Sequence, residues 1–202
     1  MLQATFAPAK RLSGAMADPA RYPALANPHV RLTGTIDDAM YRRFQDAVAV
    51  AGDADPLVVS LTTLGGDPEV ARAMGEDIRL LGAYQGRNAL FLGKSVVYSA
   101  GATFMSYFRR ENRFLTRGTR LMIHERILTR DLHLEGPLRM CVANLKAVLH
   151  EVEHSILIEE EGFRQLIDQS DIGFEELRER APENWYIEAE EAKAKGLVLD
   201  VI

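Results

Sequence analysis

A serine and a histidine stand 25 residues apart, and each directly follows an apolar stretch. Ser99 lies in the segment YSAGA at 98–102, where a strand-like run passes into a helix-like one. His124 ends the apolar run LMI at 121–123. Taken singly, a serine there is more often an N-cap and such a histidine a core residue. As a pair they predict a nucleophile and its general base, the chemistry of acyl transfer.

A pair of glycines, Gly65 and Gly66, interrupts the chain between a β-branched run at 56–63 and a helix that begins near Pro68. Backbone N–H groups at such a turn can donate to a developing oxyanion, and the missing side chains allow a substrate to come close. Glycine is common at strand-to-helix turns, so this motif alone is weak. The helix N-terminus after Ser99 offers further N–H groups that favour negative charge.

The elements that would carry these residues alternate between strands and helices. We expect strands at 29–34, 56–63, 89–92 and 95–98, and two short strands at 113–116 and 120–124 around a turn at Gly118. Helices are expected from Asp37 to Ala51, from Pro68 to about Leu81, and over 103–108. This order predicts an α/β domain with crossover connections.

A different pattern follows Pro137. Apolar residues recur at steps of three and four along 138–163, which is a heptad seam on a helix of about 30 residues at 137–168. So long a helix with a narrow apolar stripe needs a partner helix. Packing on its own domain and packing in an oligomer are both open, and the length favours the oligomer.

Composition sets broader limits. The 202 residues suit one globular domain at 29–202, preceded by an irregular arm at 1–28 that is rich in alanine and proline. A net charge of −5 argues against nucleic-acid binding, and no apolar run is long enough to span a membrane. The single cysteine, Cys141, excludes an intramolecular disulfide and is compatible with the cytoplasm, where we expect the protein to act.

An ordered set of motifs resembles the proteolytic subunit of the Clp protease. The set consists of LTG at 32–34, LGG at 64–66, YSAGA at 98–102, MIH at 122–124, EAEEA at 188–192 and GLV at 196–198. The interval between serine and histidine equals that of the family, and the likeness covers about residues 30–202. It implies an α/β Clp/crotonase-like fold of repeated β-β-α-type units, with a long protruding handle helix that joins two rings.

The resemblance also implies an activity and its partners. Ser99 would attack the peptide carbonyl and His124 would take its proton, without a cofactor or metal. The oxyanion would be held by the N–H groups of Gly65 and Ala100. Substrate-binding roles fall to Gly66 and Ile127. The expected assembly is a ring-shaped homo-oligomer that cleaves peptides or unfolded proteins, with any ATP-driven unfoldase a separate protein.

The third catalytic position departs from the family. Counting from the EAEEA motif places it at Asn184, where the family has aspartate, with Glu183 as the alternative if the register differs by one. An asparagine carbonyl can orient the histidine ring but cannot neutralise the imidazolium. Because of this change, a weak or inactive Clp-like subunit with an assembly or regulatory role is the alternative function.

One further departure from the family concerns the segment that follows His124. The glutamine-proline and glycines that usually follow the family's histidine are replaced by ERILTR at 125–130, so the peptide cleft must differ.

A crotonase-type acyl-CoA enzyme uses the same fold with similar glycine turns, and it stands as a third interpretation.

A zinc-peptidase pattern competes with the serine site. Residues 150–154 read HEVEH, which places His150 and His154 one helical turn apart. Both lie off the heptad seam, and no downstream motif supplies a third ligand. We therefore expect an exposed helix face here and no metal site.

Overall fold

The computed structural model describes residues 21–202. They form seven strands and six α-helices. In chain order they are β1 (Val30–Thr33), α1 (Asp38–Ala51), β2 (Leu57–Thr63), α2 (Pro68–Gln85), β3 (Ala89–Tyr98), α3 (Ala100–Ser106), β4 (Arg113–Leu115), β5 (Arg120–Ile123), α4 (Leu138–Ile167), α5 (Phe174–Arg180), β6 (Trp185–Glu188), α6 (Ala189–Ala194) and β7 (Asp200–Val201). The α/β order predicted from the sequence is confirmed.

The first two long helices begin at the aspartates that the sequence indicated. Asp37 accepts a hydrogen bond from the N–H of Met40 at 2.8 Å, which caps α1. Asp67 caps α2 by accepting from Glu69 N–H at 2.7 Å. Helix α2 continues four residues past its expected end, to Gln85, because only Gly86 adopts the left-handed conformation that ends it (φ 65°).

The sheet is mostly parallel, in the order β1-β2-β3-β4-β7, and β5 and β6 extend it from β3. Strands β4 and β5, expected around one turn, do not pair with each other: both run parallel to β3. The first part of β3 pairs with β4 and its last part, Val96–Tyr98, pairs with β5. A positive φ of 61° at Ser95 separates the two parts. The two parts of β3, together with α3, therefore form a strand-strand-helix unit.

Alternating side chains of the strands enter two apolar layers on opposite faces of the sheet. Most of the core lies on the face covered by helices, where Val59 and Phe91 pack. On the other face Leu25 packs with Val58 and Leu92. Leu25 belongs to a short 3-10 turn at Pro23–Ala26, inside the stretch expected to be an irregular arm. The rest of that expected arm, residues 1–20, lies outside the described residues.

A buried arginine joins the carboxyl ends of two helices to the sheet. Arg113 donates to the carbonyls of Ser106, which ends α3, and Phe108, at 2.9 and 2.8 Å, and to that of Leu166 in α4 at 3.0 Å. Burial lowers the pKa of Arg113 to about 10, although Asp168 and Glu111 oppose this. The guanidinium thus satisfies carbonyls that a helix terminus leaves without partners.

Helix α4 has the length and place predicted from the heptad seam, and only its end packs on the domain. Phe163, Leu166 and Ile167 are buried, whereas Leu138 is 84% exposed. The residues of the seam and beside it that remain exposed are Leu138, Met140, Val142, Leu145, Leu149, Ile156 and Leu157. Within residues 21–202, no helix has the length and apolar character needed to cross a membrane.

Candidate active site

Ser99 sits at the sharp junction between β3 and α3. Its backbone has a φ of 54° and a ψ of −118°, an unusual conformation for a residue with a side chain. Three hydrogen bonds hold it there. Its N–H donates to Met122 O at 2.8 Å, and its carbonyl accepts from Ala102 and Thr103 at 2.8 and 3.2 Å. The junction turns the side chain out of the sheet, into a cavity.

The parallel pairing of β3 with β5 brings His124 to Ser99. Tyr98 lies beside Met122 in the register, so Ser99 and His124 follow the carboxyl ends of neighbouring strands. That edge is where ligands bind in open α/β sheets. His124 Nε2 and Ser99 Oγ are 2.6 Å apart, a hydrogen-bond distance that allows the ring nitrogen to accept the hydroxyl proton.

The glycine turn lies directly against the serine. A Cβ on Gly65 would come within 2.8 Å of Ser99 Cβ, and one on Gly66 within 2.2 Å of Ile36 O. Their φ values of 114° and 146° also require glycine. The N–H of Ile36 donates to Gly65 O at 2.9 Å, which fixes the turn beside α1. Both glycines are therefore required by close approach as well as by conformation.

The N–H groups expected at the oxyanion differ in their availability. The N–H of Gly65 donates to Thr63 Oγ1 at 2.9 Å. By contrast, no hydrogen bond within residues 21–202 uses the N–H of Gly66 or of Ala100, and both residues line the cavity at Ser99. Thr63 was not anticipated, although a threonine two residues before a glycine is a recognisable turn signal.

The cavity has a volume of about 690 Å³ and is bounded by α2, α3, α4 and the segment after β5. It brings together most of the predicted site: Ser99, His124, Gly66, Ala100 and Ile127. Apolar side chains of α4, such as Phe163, face polar ones of α3, such as Thr103. Its size is that of a pocket for one side chain and adjoining backbone of a bound peptide, or for a small ligand.

Asn184 is a neighbour of His124 in the sheet. Ile123 pairs with Trp185 across β5 and β6, so the next residues outward are His124 and Asn184. Asn184 has a left-handed backbone with a φ of 59°, and its side chain is exposed, as is that of Glu183. Within residues 21–202 neither side chain is hydrogen-bonded to His124, so the third position stays a prediction.

Two glutamates that sequence reasoning did not single out reach Arg126, two residues after His124. Glu159 of α4 accepts the backbone N–H of Arg126, and Glu69 of α2 accepts its guanidinium at 2.7 Å. Burial raises the pKa of the Glu159 carboxyl, and the bond from Arg126 only partly opposes this. No local signal could reveal these contacts, because the residues lie 33 and 57 positions apart.

The zinc pattern on α4 does not form a site in this structure. His150 and His154 are both exposed, and Glu151 between them pairs with Arg130. Across residues 21–202 there is no group of three or more histidine, cysteine, aspartate or glutamate side chains placed to hold a metal ion. Both histidines therefore lie on the solvent face of a long helix.

Comparison with known proteins identifies the fold but not a sequence family. No protein-family model matches the chain, and no curated protein matches it in sequence. Among solved structures, a mutant of ClpP1 from Listeria monocytogenes with one asparagine replaced by aspartate superposes with a TM-score of 0.67. It is 20% identical, and the match covers 86% of this chain and 90% of that one. The chain therefore has the Clp/crotonase-like fold.

Proposed function

We propose that this chain is a serine-type peptidase in which Ser99 is the nucleophile and His124 its general base. The observation that carries the proposal is the 2.6 Å contact between Ser99 Oγ and His124 Nε2, on a serine held in a strained strand-to-helix turn. His124 would remove the hydroxyl proton as Oγ attacks a peptide carbonyl, and would return it to the leaving amine.

The N–H groups beside the serine support an oxyanion site. Ala100 begins α3, so its N–H has no acceptor within its own helix. The second donor would be Gly65, as the resemblance implies, once its bond to Thr63 opens. Gly66 fills the same role without that change, since its N–H is already unused among residues 21–202 and it lines the cavity.

The alternative, a weak or inactive subunit with an assembly or regulatory role, has an observation of its own. No carboxylate within residues 21–202 bonds His124, and the nearest predicted third residue is an exposed asparagine. Without an anion behind the ring, the imidazolium formed during attack is less stabilised. The active peptidase and the inactive subunit would both contain the pair of Ser99 and His124, and they differ in how reactive that pair is.

The exposed seam of α4 supports the expected assembly. Seven large apolar side chains in one helix are more than a monomer normally leaves in water, and Leu145 and Leu149 belong to the predicted seam. We infer a ring-forming homo-oligomer in the cytoplasm, joined through α4, that acts on peptides or unfolded proteins beside a separate unfoldase. Leu149→Glu should lower the particle mass measured by light scattering, while Lys146→Glu, off the seam, should not.

A fluorophosphonate probe tests the catalytic proposal. The expected result is a single adduct on Ser99, identified by mass spectrometry and lost in His124→Ala. An unlabelled protein at every pH up to about 9 would instead establish the inactive subunit or the acyl-CoA enzyme. Peptidase activity that a chelator abolishes, in a protein the probe leaves unlabelled, would return the zinc motif to consideration.

A further inference from the structure

The segment that follows His124 is held by side chains and not by a strand ladder. Residues 124–135 have no helix or strand assignment. Three contacts attach them to the neighbouring helices: Arg126 N–H to Glu159, the Arg126 guanidinium to Glu69, and Arg130 to Glu151. Two of these contacts meet at Arg126, whose side chain is only 23% exposed.

Arg126 is therefore bound from both sides of the cleft. Its backbone reaches α4 through Glu159, and its guanidinium reaches α2 through Glu69, which also pairs with Arg72 at 2.9 Å. Arg126, Arg72 and Glu159 all line the cavity that contains Ser99. The contacts form a chain of alternating charges across the wall of the candidate active site.

The direction of the Arg126 N–H determines to which side the backbone groups of the flanking residues point. Exposure alternates along the segment: Glu125 and Ile127 are exposed, and Arg126 between them is half-buried. In extended chain, successive backbone polar groups point to opposite sides. The alternating exposure indicates extended chain at 125–127. Because the Arg126 N–H bonds Glu159 on α4, extended chain would direct the backbone groups of Ile127 away from α4, toward a peptide that could pair with them.

We propose that Glu159 is a positioning residue for the peptide substrate: by accepting the Arg126 N–H, it presents the Ile127 backbone at the mouth of the cavity. This inference rests on the proposed peptidase function and adds the residue that sets the substrate edge. A carboxylate suits the task because a charge-assisted bond to a backbone N–H is stronger than a neutral one. Glu159 is half-buried and lines the same cavity as Phe163, one turn along α4.

The chain supplies a matched control. Glu151 also lies on α4 and also ties the segment, through Arg130, but both partners are about half exposed. Exposed ion pairs of this kind contribute little. Glu159→Ala and Glu151→Ala thus remove the same chemical group from the same helix, and only the first removes an acceptor from the backbone beside His124.

Hydrogen exchange followed by mass spectrometry tests the contact itself. In Glu159→Ala the Arg126 amide should exchange at least about tenfold faster than in the unaltered protein, because its acceptor is gone. Glu159→Gln retains a side-chain oxygen and should restore slow exchange, and Glu151→Ala should leave the rate unchanged. Equal exchange in Glu159→Ala and the unaltered protein would overturn the proposal.

Binding of fluorescently labelled casein, an unfolded protein, tests the substrate role. Measured by anisotropy in the Ser99→Ala background, the Kd should rise about 5- to 20-fold with Glu159→Ala, the cost of losing one well-placed hydrogen bond. It should return to within about twofold with Glu159→Gln. The rate of fluorophosphonate labelling, measured with Ser99 intact, should stay within about twofold in both variants.

Those readouts keep the two proposals separate. If the probe never labels Ser99, the peptidase assignment fails, yet exchange and casein binding still decide the role of Glu159. If Glu159→Ala lowers labelling and leaves casein binding intact, Glu159 supports the serine–histidine pair and the proposal is wrong. An altered exchange rate with unchanged casein binding likewise overturns it.

Discussion

The two walls of the cleft are built in different ways. The wall that carries Ser99 consists of parallel strands, a short buried helix and a glycine turn, all joined by backbone hydrogen bonds. The opposite wall consists of an irregular segment and one face of α4, joined by the Glu159 carboxylate, which accepts the Arg126 N–H, and by the pair of Arg130 and Glu151. One wall is fixed by the core, and the other by a few polar contacts near water.

This difference matches two tasks of the proposed peptidase. A nucleophile and its base must keep their distance to within a fraction of an ångström, which a packed core provides. A surface that receives varied peptide sequences gains from adjustability, which local contacts of low stability provide. Asn184 lies beside His124 at the edge of the sheet, but its side chain is exposed.

The largest expected effect is at the fixed wall. Ser99→Ala should remove fluorophosphonate labelling and lower casein cleavage by about 10,000-fold or more, as loss of a nucleophile does in serine peptidases. The melting temperature should change little, because the backbone bonds of residue 99 do not use the side chain. Residual cleavage close to the original rate, free of contaminating protease, would contradict the assignment of Ser99.

A pair of glycine substitutions compares close packing with backbone conformation alone. Gly65→Ala places a methyl group 2.8 Å from Ser99 Cβ, whereas Gly34, with a similar φ of 108°, has open space around it. Gly34→Ala should cost about 1 kcal/mol of stability and leave labelling intact. Gly65→Ala should also slow labelling about 100-fold, because the nucleophile must shift. Equal labelling in both variants would show that the serine wall is not fixed by packing.

The fold was far more predictable from the sequence than the cleft was. Caps at Asp37 and Asp67, β-branched runs and the heptad seam are local patterns, so elements and order followed directly. The pairing of β4 and β5 with β3 was not predicted, because closeness along the chain indicates only the turn between them. Glu159 was missed because no pattern near position 126 indicates which distant carboxylate will accept its N–H.

The predicted third catalytic position, Asn184, can be tested by restoring a carboxylate. Asn184→Asp should raise the rate of casein cleavage about 10- to 100-fold, since a carboxylate behind the ring stabilises the imidazolium. Glu183→Gln is the control: if Glu183 already serves, that variant should lose activity and Asn184→Asp should gain none. Faster cleavage in Asn184→Asp, with an unchanged rate in Glu183→Gln, would assign residue 184 as the third catalytic position. No change in either variant would place the support of His124 outside this turn.

The smallest effect concerns pH and the stability of the second wall. Burial raises the pKa of Glu159, with Glu125 and Glu160 adding to the shift and Arg126 opposing it. The folded protein therefore holds this proton to a higher pH than the unfolded chain does. Its contribution to stability is present below the ordinary glutamate range of about pH 4 and is lost as the pH rises through the folded value.

Glu159→Gln cannot ionise, so its contribution stays constant across that range. The unfolding free energy of the unaltered protein, relative to Glu159→Gln, should thus fall as the pH rises above about 4 in urea titrations. An increase over the same range would mean that the Arg126 bond outweighs burial. The expected fall would mean that burial opposes the ionised carboxylate of Glu159 more strongly than the bond from Arg126 favours it.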